Sequence, residues 1–158
     1  MRSTFRVLIA AASVCALVIV VSLASMAMGA TKMTVSVVER ASSDAVVDIG
    51  ATGDSEGDIL WFANEVYDST DAELVGTDQG QCFRTSVADG AWECNWTTML
   101  ADGQITVEGP FYDAADSTVA ITGGTGAYKA AQGQMKLHCY VGADDVGRCD
   151  FVFKLILP

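Results

Sequence analysis

From Met33 onwards, the sequence is a succession of short apolar or alternating segments separated by breaks rich in glycine, Asp and Asn. Clear examples are MTVSVVER, DILWFANEVYD, WECNWTTML and CDFVFKLIL. No segment of useful length shows the 3.6-residue period of an amphipathic helix. Many short strands at close spacing are typical of an all-β sandwich or barrel. Because no long linker interrupts the series, we predict a single all-β domain.

The N-terminus has the order of a secretory signal peptide. Arg2 and Arg6 precede an apolar run over residues 7–21, and small residues follow up to Ala30. This order predicts cleavage at about residues 27–30, which makes residues 1–30 the signal peptide and residues 31–158 the mature domain. The mature protein is then secreted and free of the membrane. An uncleaved membrane anchor is the alternative, since the apolar run is nearly long enough to span a bilayer.

The charge of the chain excludes some partners. The formal net charge is −11 at pH 7, and it becomes two units more negative once Arg2 and Arg6 are removed. A domain with this charge repels phosphate groups, so we expect no nucleic-acid partner and no binding to an anionic membrane. The acidic residues are scattered along the chain, which indicates a solvated surface.

The cysteines predict two disulfides. Four cysteines remain after the signal peptide: Cys82, Cys94, Cys139 and Cys149. Four cysteines allow three pairings. The first two flank an Asp89-Gly90 turn signal, and the last two flank the turn-like segment YVGADDVGR. Both separations are even, so each pair can lie on one face of a hairpin, which favours Cys82–Cys94 and Cys139–Cys149.

No metal and no cofactor is expected. The cysteine spacing is not C-x-x-C, and His138 is the single histidine of the sequence, which is a poor ligand set for zinc. The glycine-rich segment AITGGTGAYKAAQGQMKLH, residues 120–138, is not a nucleotide motif either. Lys129 stands where a third dinucleotide-binding glycine belongs, and no Gly-Lys-Ser/Thr follows. The remaining interpretation is conformational, because glycines let a strand end, turn sharply and start again.

The sequence resembles a known family at these segments. GPFYDAADSTVAITGGTGAYKAAQGQMKLH resembles the signature of the allene oxide cyclases and, more loosely, of the dirigent proteins. GDILWFANEVYD, LVGTDQGQC and ITVEGPF resemble further parts of the cyclase pattern in the same order. The resemblance covers about residues 57–157. It implies a single eight-stranded antiparallel β-barrel with an apolar cavity, and a possible homotrimer.

The resemblance also implies a function. Proteins of this kind hold a reactive, short-lived intermediate in a shaped pocket and steer its ring closure or coupling without a cofactor. Such a pocket need only restrict the conformers of the bound molecule and exclude water. The expected partner is a hydrophobic small molecule, and the expected activity is isomerisation or cyclisation. Two alternatives remain, namely a non-catalytic carrier of a lipid-like ligand and a structural barrel with a packed interior.

Five residues are implied as site residues. Asn64 occupies the position of a cyclase asparagine that helps to hold a water molecule at the oxygen of the substrate, so it is the candidate catalytic residue. The candidate ligand-binding residues are Leu60, Phe62, Cys82 and Phe111. Phe62 and Cys82 match pocket-lining positions, Phe111 falls where the cyclases carry an aromatic residue, and Leu60 shares the face of Phe62 by alternation.

The first strand departs from the cyclase pattern. The cyclases use a glutamate there, near a proline. In TVSVVERASSDAVVDIG we expect Ser36 and Val38 to point to the side on which the cyclase glutamate acts, and we find no proline. Glu39 is displaced by an odd step, so we expect it to point to the other wall. By the same alternation, Glu65 should face outward, and a lone histidine such as His138 is expected to be structural or solvated.

Overall fold

The computed structural model describes residues 29–158, so the predicted signal peptide lies outside the described residues except for its last two positions. Nine antiparallel strands follow one another: β1 (Thr31–Ala41), β2 (Ala45–Val47), β3 (Ile59–Asp68), β4 (Leu74–Ser86), β5 (Ala91–Leu100), β6 (Gly103–Tyr112), β7 (Ser117–Gly124), β8 (Gln132–Val141) and β9 (Gly147–Leu157). A single 3-10 turn, Gly126–Tyr128, lies between β7 and β8. None of the helical structure in residues 29–158 is long and apolar enough to cross a bilayer.

The sheet closes into a barrel through β1. Each strand pairs with its neighbours in the order β1-β9-β8-β7-β6-β5-β4-β3-β2, and β1 pairs in addition with β3. Residues 37–40 of β1 lie along residues 65–68 of β3, and β2 lies along residues 59–61 of the same strand. The segments β1 and β2 therefore act as one interrupted strand. This arrangement confirms the predicted eight-stranded antiparallel barrel.

The sequence breaks fall between strands, as predicted. Asp89-Gly90 lies in the turn from β4 to β5, and residues 142–146 form the turn from β8 to β9. The glycine-rich segment ends β7 at Gly124 and turns at Gly126, which has a φ of +59°. A Cβ atom at Gly126 would collide with the carbonyl oxygen of Asp102. The glycine is therefore required both by the backbone conformation and by the close approach of the chain.

Inward-facing apolar side chains fill most of the barrel. The largest fully buried ones come from five strands, β3 and β6 to β9: Ile105, Met135, Phe153 and Leu155, together with Val66, Val107 and Val119. The ring of Trp96 packs against those of Phe62 and Phe151, with centroids 6.3 and 5.9 Å apart. Each fully buried side chain of this size contributes about 1.5–3 kcal/mol to folding.

Both predicted disulfides are present. Cys82 and Cys94 are direct cross-strand partners in β4 and β5, and Cys139 and Cys149 are direct partners in β8 and β9. Each bond therefore staples one hairpin of the barrel. Disulfides persist in oxidising compartments, which is the environment that the cysteine usage indicates.

The outer face of the seam between β1 and β3 carries an ionic cluster. Asp71, in the turn after β3, accepts hydrogen bonds from Arg40 at 2.7 Å and from Arg148 at 2.9 Å. Arg148 also donates to Asp144 at 2.9 Å. The guanidinium of Arg40 lies 3.5 Å from the centre of the Tyr67 ring. The cluster thereby ties β1, β9 and the turn between β3 and β4 together at the point of closure.

Candidate functional site

The interior of the barrel contains a narrow apolar cavity. Water-sized spheres can be centred in about 70 Å³ of it. Its walls are aliphatic and aromatic side chains, disulfide sulfur atoms and two acidic residues: Leu60, Phe62, Trp96, Phe111, Leu137, Phe151, Cys82, Cys94, Cys149, Ala41, Glu39 and Asp44. A space of this size accepts a few water molecules or one small group, and a larger ligand requires side chains to move.

The four predicted ligand-binding residues all line this cavity. Leu60 and Phe62 enter it from β3, Cys82 from β4 and Phe111 from β6. The alternation of β3 accounts for the first two, because Trp61 between them is half exposed on the outer wall. Contact of these side chains with a ligand stays a prediction.

The side chain of Asn64 is fully buried and fully hydrogen-bonded by the protein. Its Oδ1 accepts from the backbone N–H of Ser42 at 3.1 Å, the N–H of Ser43 at 2.9 Å and the Ser43 hydroxyl at 2.9 Å. Its Nδ2 donates to Glu39 Oε1 and to Asp44 Oδ1, both at 2.8 Å. Asn64 therefore fastens the interruption between β1 and β2 to β3, and it lies behind Glu39 rather than on the cavity wall.

The expected direction of Glu39 is wrong. Its side chain is only 6% exposed and lies on the cavity side, with Val37 and Ala41. Val38, expected inward, is buried on the outer face instead, opposite Tyr67 in the β1–β3 ladder. The guanidinium of Arg40 covers the Tyr67 ring there. Because both faces of β1 are buried at this point, the pattern of apolar residues does not show which side chains point into the barrel.

Two further polar side chains that the sequence interpretation did not select share this layer. Asp78 of β4 pairs with Asn64 of β3 on one side and with Thr98 of β5 on the other. Together with Glu39 they form what we call the buried polar row: Glu39, Asn64, Asp78 and Thr98. Both carboxylate oxygens of Asp78 and the hydroxyl of Thr98 have no hydrogen-bond partner in the described part of the chain. Counting back from Cys82 by steps of two places Asp78 inward, so alternation carries this signal.

Burial shifts the acids of this row strongly. Desolvation raises the pKa of Glu39 to about 7. The hydrogen bond from Asn64 lowers this pKa, and the negative charge of Asp44 raises it further. Desolvation, followed by the charge of Glu39, raises the pKa of Asp78 to about 9. Asp78 is therefore protonated at neutral pH, and Glu39 changes its protonation state close to neutral pH. An acid that titrates near neutral pH beside a cavity is a candidate for proton transfer.

Trp96 is a second wall residue that the sequence interpretation did not select. It faces inward from β5, two residues after Cys94. Gly80, its partner on β4, leaves the space for it, because a Cβ atom at that position would collide with the Cβ of Trp96. The indole then closes one side of the cavity beside Phe62 and Phe151.

The other concavities lie on the outer surface, and the exposed His138 lines one of them. A shallow groove of about 600 Å³ runs over the outer wall from β3 to β7, and Glu108 is the one titratable side chain among the described residues that line it. Glu65 and His138 are exposed, as expected, and His138 pairs with Asp116 at 2.6 Å on the surface. Within residues 29–158, no three His, Cys, Asp or Glu side chains are arranged to hold a metal ion. The interior cavity is therefore the candidate site.

Comparison with known proteins gives one family and several similar structures. The family described as allene oxide cyclase matches residues 32–146. A solved structure titled pyocyanin demethylase is 28% identical, with a TM-score of 0.63 over 78% of this chain and 100% of that chain. The pterocarpan synthase dirigent protein GePTS1 is 16% identical, with a TM-score of 0.70 over 82% of this chain and 92% of that chain. The Diels Alderase AbmU from Streptomyces koyangensis is 14% identical, with a TM-score of 0.58 over 84% of this chain and 72% of that chain.

The last two similarities establish the fold alone, because their sequence identities are low. The family match is of another kind, since it spans well over half of the 158 residues and includes the glycine-rich segment. The closed barrel is also the fold that the resemblance implied. The chain therefore belongs to the allene oxide cyclase family.

Proposed function

We propose that this protein binds a hydrophobic small molecule in the barrel and steers its cyclisation or isomerisation without a cofactor. The observation that carries the proposal is a buried acidic side chain, Glu39, held with Asp44 on the wall of a mostly apolar cavity. An apolar wall binds the ligand by removing its surface from water. Glu39, the buried acid of the two, then acts at one defined atom of the bound molecule.

Glu39 is the group that we assign to the chemistry. With a pKa of about 7, its carboxyl group is present in both protonation states at neutral pH, so it can accept a proton from a ligand or return one. The hydrogen bond from Asn64 Nδ2 fixes its orientation. The predicted role of Asn64 as an anchor is then indirect, because Asn64 positions the group that contacts the ligand.

The walls define the ligand class. Phe62, Phe111, Trp96 and Phe151 offer ring faces and edges to an unsaturated or polycyclic molecule. Phe62 and Phe111 are only half buried, so they are the side chains that move to admit a ligand larger than the 70 Å³ cavity. The names of the similar solved proteins, a demethylase of pyocyanin, a pterocarpan synthase and a Diels Alderase, support a small organic substrate.

A non-catalytic carrier is the second candidate. It is favoured by the complete internal hydrogen bonding of Asn64, which leaves this side chain no capacity to anchor a reacting oxygen. The small volume of the cavity favours the third possibility, a barrel that is simply packed. Mass spectrometry of small molecules retained by the protein from its native source separates the third from the first two. A retained apolar compound excludes the packed barrel.

Chiral product analysis tests the catalytic proposal. Purified protein is offered a racemic, unstable allene oxide, and the cyclopentenone is separated by chiral chromatography. We expect an excess of one enantiomer with the natural protein and a reduced excess with Glu39→Gln, while the surface variant Glu65→Gln behaves as the natural protein. A racemic product in every case excludes cyclisation of this substrate.

We also propose that the mature protein is exported and assembles as a homotrimer. The two disulfides support export, and N-terminal sequencing of the secreted protein should begin at about residues 28–31. The half-exposed outer-wall rings of Trp61 and Phe83 support a subunit interface. Light scattering of the protein eluting from a sizing column measures the subunit number, and a monomer contradicts the trimer.

A further inference from the structure

Two aspartates of this protein are equally inaccessible to solvent and have opposite surroundings. Asp58 and Asp78 are each 1% exposed. Asp58 accepts hydrogen bonds from the backbone N–H of Ile49 at 2.7 Å, the N–H of Ser55 at 2.9 Å and the Ser55 hydroxyl at 3.2 Å. These bonds hold the pKa of Asp58 below its usual value. A carboxylate with such donors remains ionised inside a protein.

Asp78 has no such donors. Neither of its oxygens accepts a hydrogen bond in the described part of the chain, and the lowering effect of the nearby Asn64 backbone N–H on its pKa is outweighed by burial. An ionised, unpartnered carboxylate at this depth would cost several kcal/mol or more, and groups in this position take up a proton instead. The neutral acid has an O–H group, and that group needs an acceptor.

The acceptor is the carboxylate of Glu39: Asn64, the strand partner of Asp78, donates to Glu39 Oε1 at 2.8 Å and so holds that carboxylate beside Asp78, and each acid contributes to the pKa of the other. Two ionised carboxylates in contact repel each other, whereas one proton between them converts the contact into a hydrogen bond. Asp44 is the further charged side chain that faces the pair, from the segment between β1 and β2. Asn64 and Thr98, which face the pair from β3 and β5, are neutral.

We propose that Asp78 is a positioning residue that carries a proton at neutral pH and donates it in a hydrogen bond to Glu39. With this bond on one side and that of Asn64 Nδ2 on another, the Glu39 carboxylate is held in one orientation toward the cavity. It presents its remaining acceptor capacity to the ligand. The pair as a whole then carries one negative charge whenever Glu39 is ionised. The inference about the proton concerns the protein alone, and only the consequence for a ligand rests on the function proposed above.

This arrangement selects among ligands. A carboxylate fixed by two donors accepts a hydrogen bond from, or removes a proton from, a ligand that brings an acidic O–H, N–H or C–H bond to it. A ligand with its own carboxylate at the same point would be repelled. The proposed class is therefore neutral apolar molecules with one polarised hydrogen, such as a phenol or a ketone with an acidic α-hydrogen.

Infrared spectroscopy tests the proton directly. The carbonyl band of a protonated carboxyl group should be visible in the natural protein at pH 8, where ordinary acids are ionised, and should disappear in Asp78→Asn. The matched control is Asp58→Asn, which removes an equally buried aspartate and should leave the band unchanged. Absence of the band from the natural protein, or its persistence in Asp78→Asn, overturns the proposal. Neither result depends on a ligand, so the proposed function is tested separately by the chiral assay.

Titration of Glu39 tests the hydrogen bond. Carboxyl carbon shifts in protein labelled with carbon-13 glutamate report its pKa, and Glu39→Gln identifies the signal. Asp78→Asn keeps a donor and should leave the midpoint close to that of the natural protein, whereas Asp78→Val removes the donor and should raise the proton affinity about tenfold. Equal midpoints in the natural protein and both variants contradict a hydrogen bond from Asp78. Should Asp78→Val fail to fold, the infrared comparison decides the proposal alone.

Discussion

The side-chain amide of Asn64 replaces main-chain hydrogen bonds at the place where β1 stops and β2 begins. Two successive backbone N–H groups, those of Ser42 and Ser43, donate to its one oxygen. On the other side, its two N–H groups reach the carboxylates of Glu39 and Asp44. Asn64 therefore supplies hydrogen bonds both to the backbone where the sheet is interrupted and to the carboxylate of Glu39 on the cavity wall. Burial of an amide is favourable only when its partners are complete in this way.

At the same scale, the buried acids predict how stability depends on pH. Folding raises the pKa of Glu39 from 4.5 to about 7 and that of Asp78 from 3.8 to about 9. The folded state thus binds more protons than the unfolded state within this window, and stability falls as pH rises from about 4 to 9.

Chemical denaturation between pH 5 and pH 9 measures this effect. We expect the natural protein to lose several kcal/mol over this range, and Asp78→Asn to lose clearly less. Exposed His138, whose pKa is raised by its hydrogen bond to Asp116, acts in the same direction, so His138→Asn is the required control. A curve for Asp78→Asn parallel to that of the natural protein would refute the assignment.

At the scale of elements, the sequence predicts the position of a strand where turn residues mark both of its ends. It does not always predict which side chains of that strand point into the barrel. Glycine and Asp/Asn clusters located the turns correctly, and the cysteine spacing located two hairpins. The phase of β1 was missed because Val37 and Val38 are both buried. On β4, alternation from Cys82 through Gly80 predicts that Asp78 points inward. An aspartate is rarely expected in a barrel interior, so this position is recognised only once the structure shows that it is buried. The hydrogen bonds of Asn64 lay beyond sequence reasoning, since they join residues about twenty positions apart.

The two stapled hairpins should differ in their contribution to stability. Each disulfide closes a loop of about a dozen residues. By restricting the unfolded chain, each bond raises the free energy of unfolding by about 3 kcal/mol. Cys82 and Cys94 are buried among core side chains, whereas Cys139 is exposed. The double variant Cys82→Ala with Cys94→Ala should therefore lower the melting temperature more than Cys139→Ala with Cys149→Ala, because it also removes buried sulfur atoms.

Calorimetry of the two double variants, with and without a reducing agent, measures this difference. Reduction should lower the melting temperature of the natural protein and of each variant that keeps one bond. An unchanged melting temperature on reduction of the natural protein would contradict a stabilising role for both bonds.

At the scale of the whole molecule, closure depends on a short seam. Only four residue pairs join β1 to β3, and the ionic cluster of Asp71 with Arg40 and Arg148 lies across them. Although partial burial opposes it, hydrogen bonds from the two arginines hold the pKa of Asp71 below its usual value. The cluster thus adds polar contacts where the ladder is shortest.

Removal of this carboxylate should loosen the seam. Asp71→Ala is expected to lower the free energy of unfolding by about 1–2 kcal/mol, measured by urea titration at low salt. Asp71 has a φ of +56°, which asparagine tolerates better than alanine. Asp71→Asn therefore keeps the turn and removes the charge. Equal stability of Asp71→Asn and the natural protein would show that the turn, and not the ion pairs, matters here.

The interrupted strand also governs how molecules of this barrel meet one another. Ladder pairing leaves an open margin along β2, which has only three residues, and along the first half of β1. Val46 and Val47 stand exposed on β2, yet the three residues of β2 offer a neighbouring chain very few main-chain groups to pair with. The break between β1 and β2 therefore also limits aggregation of the protein by strand addition at β2.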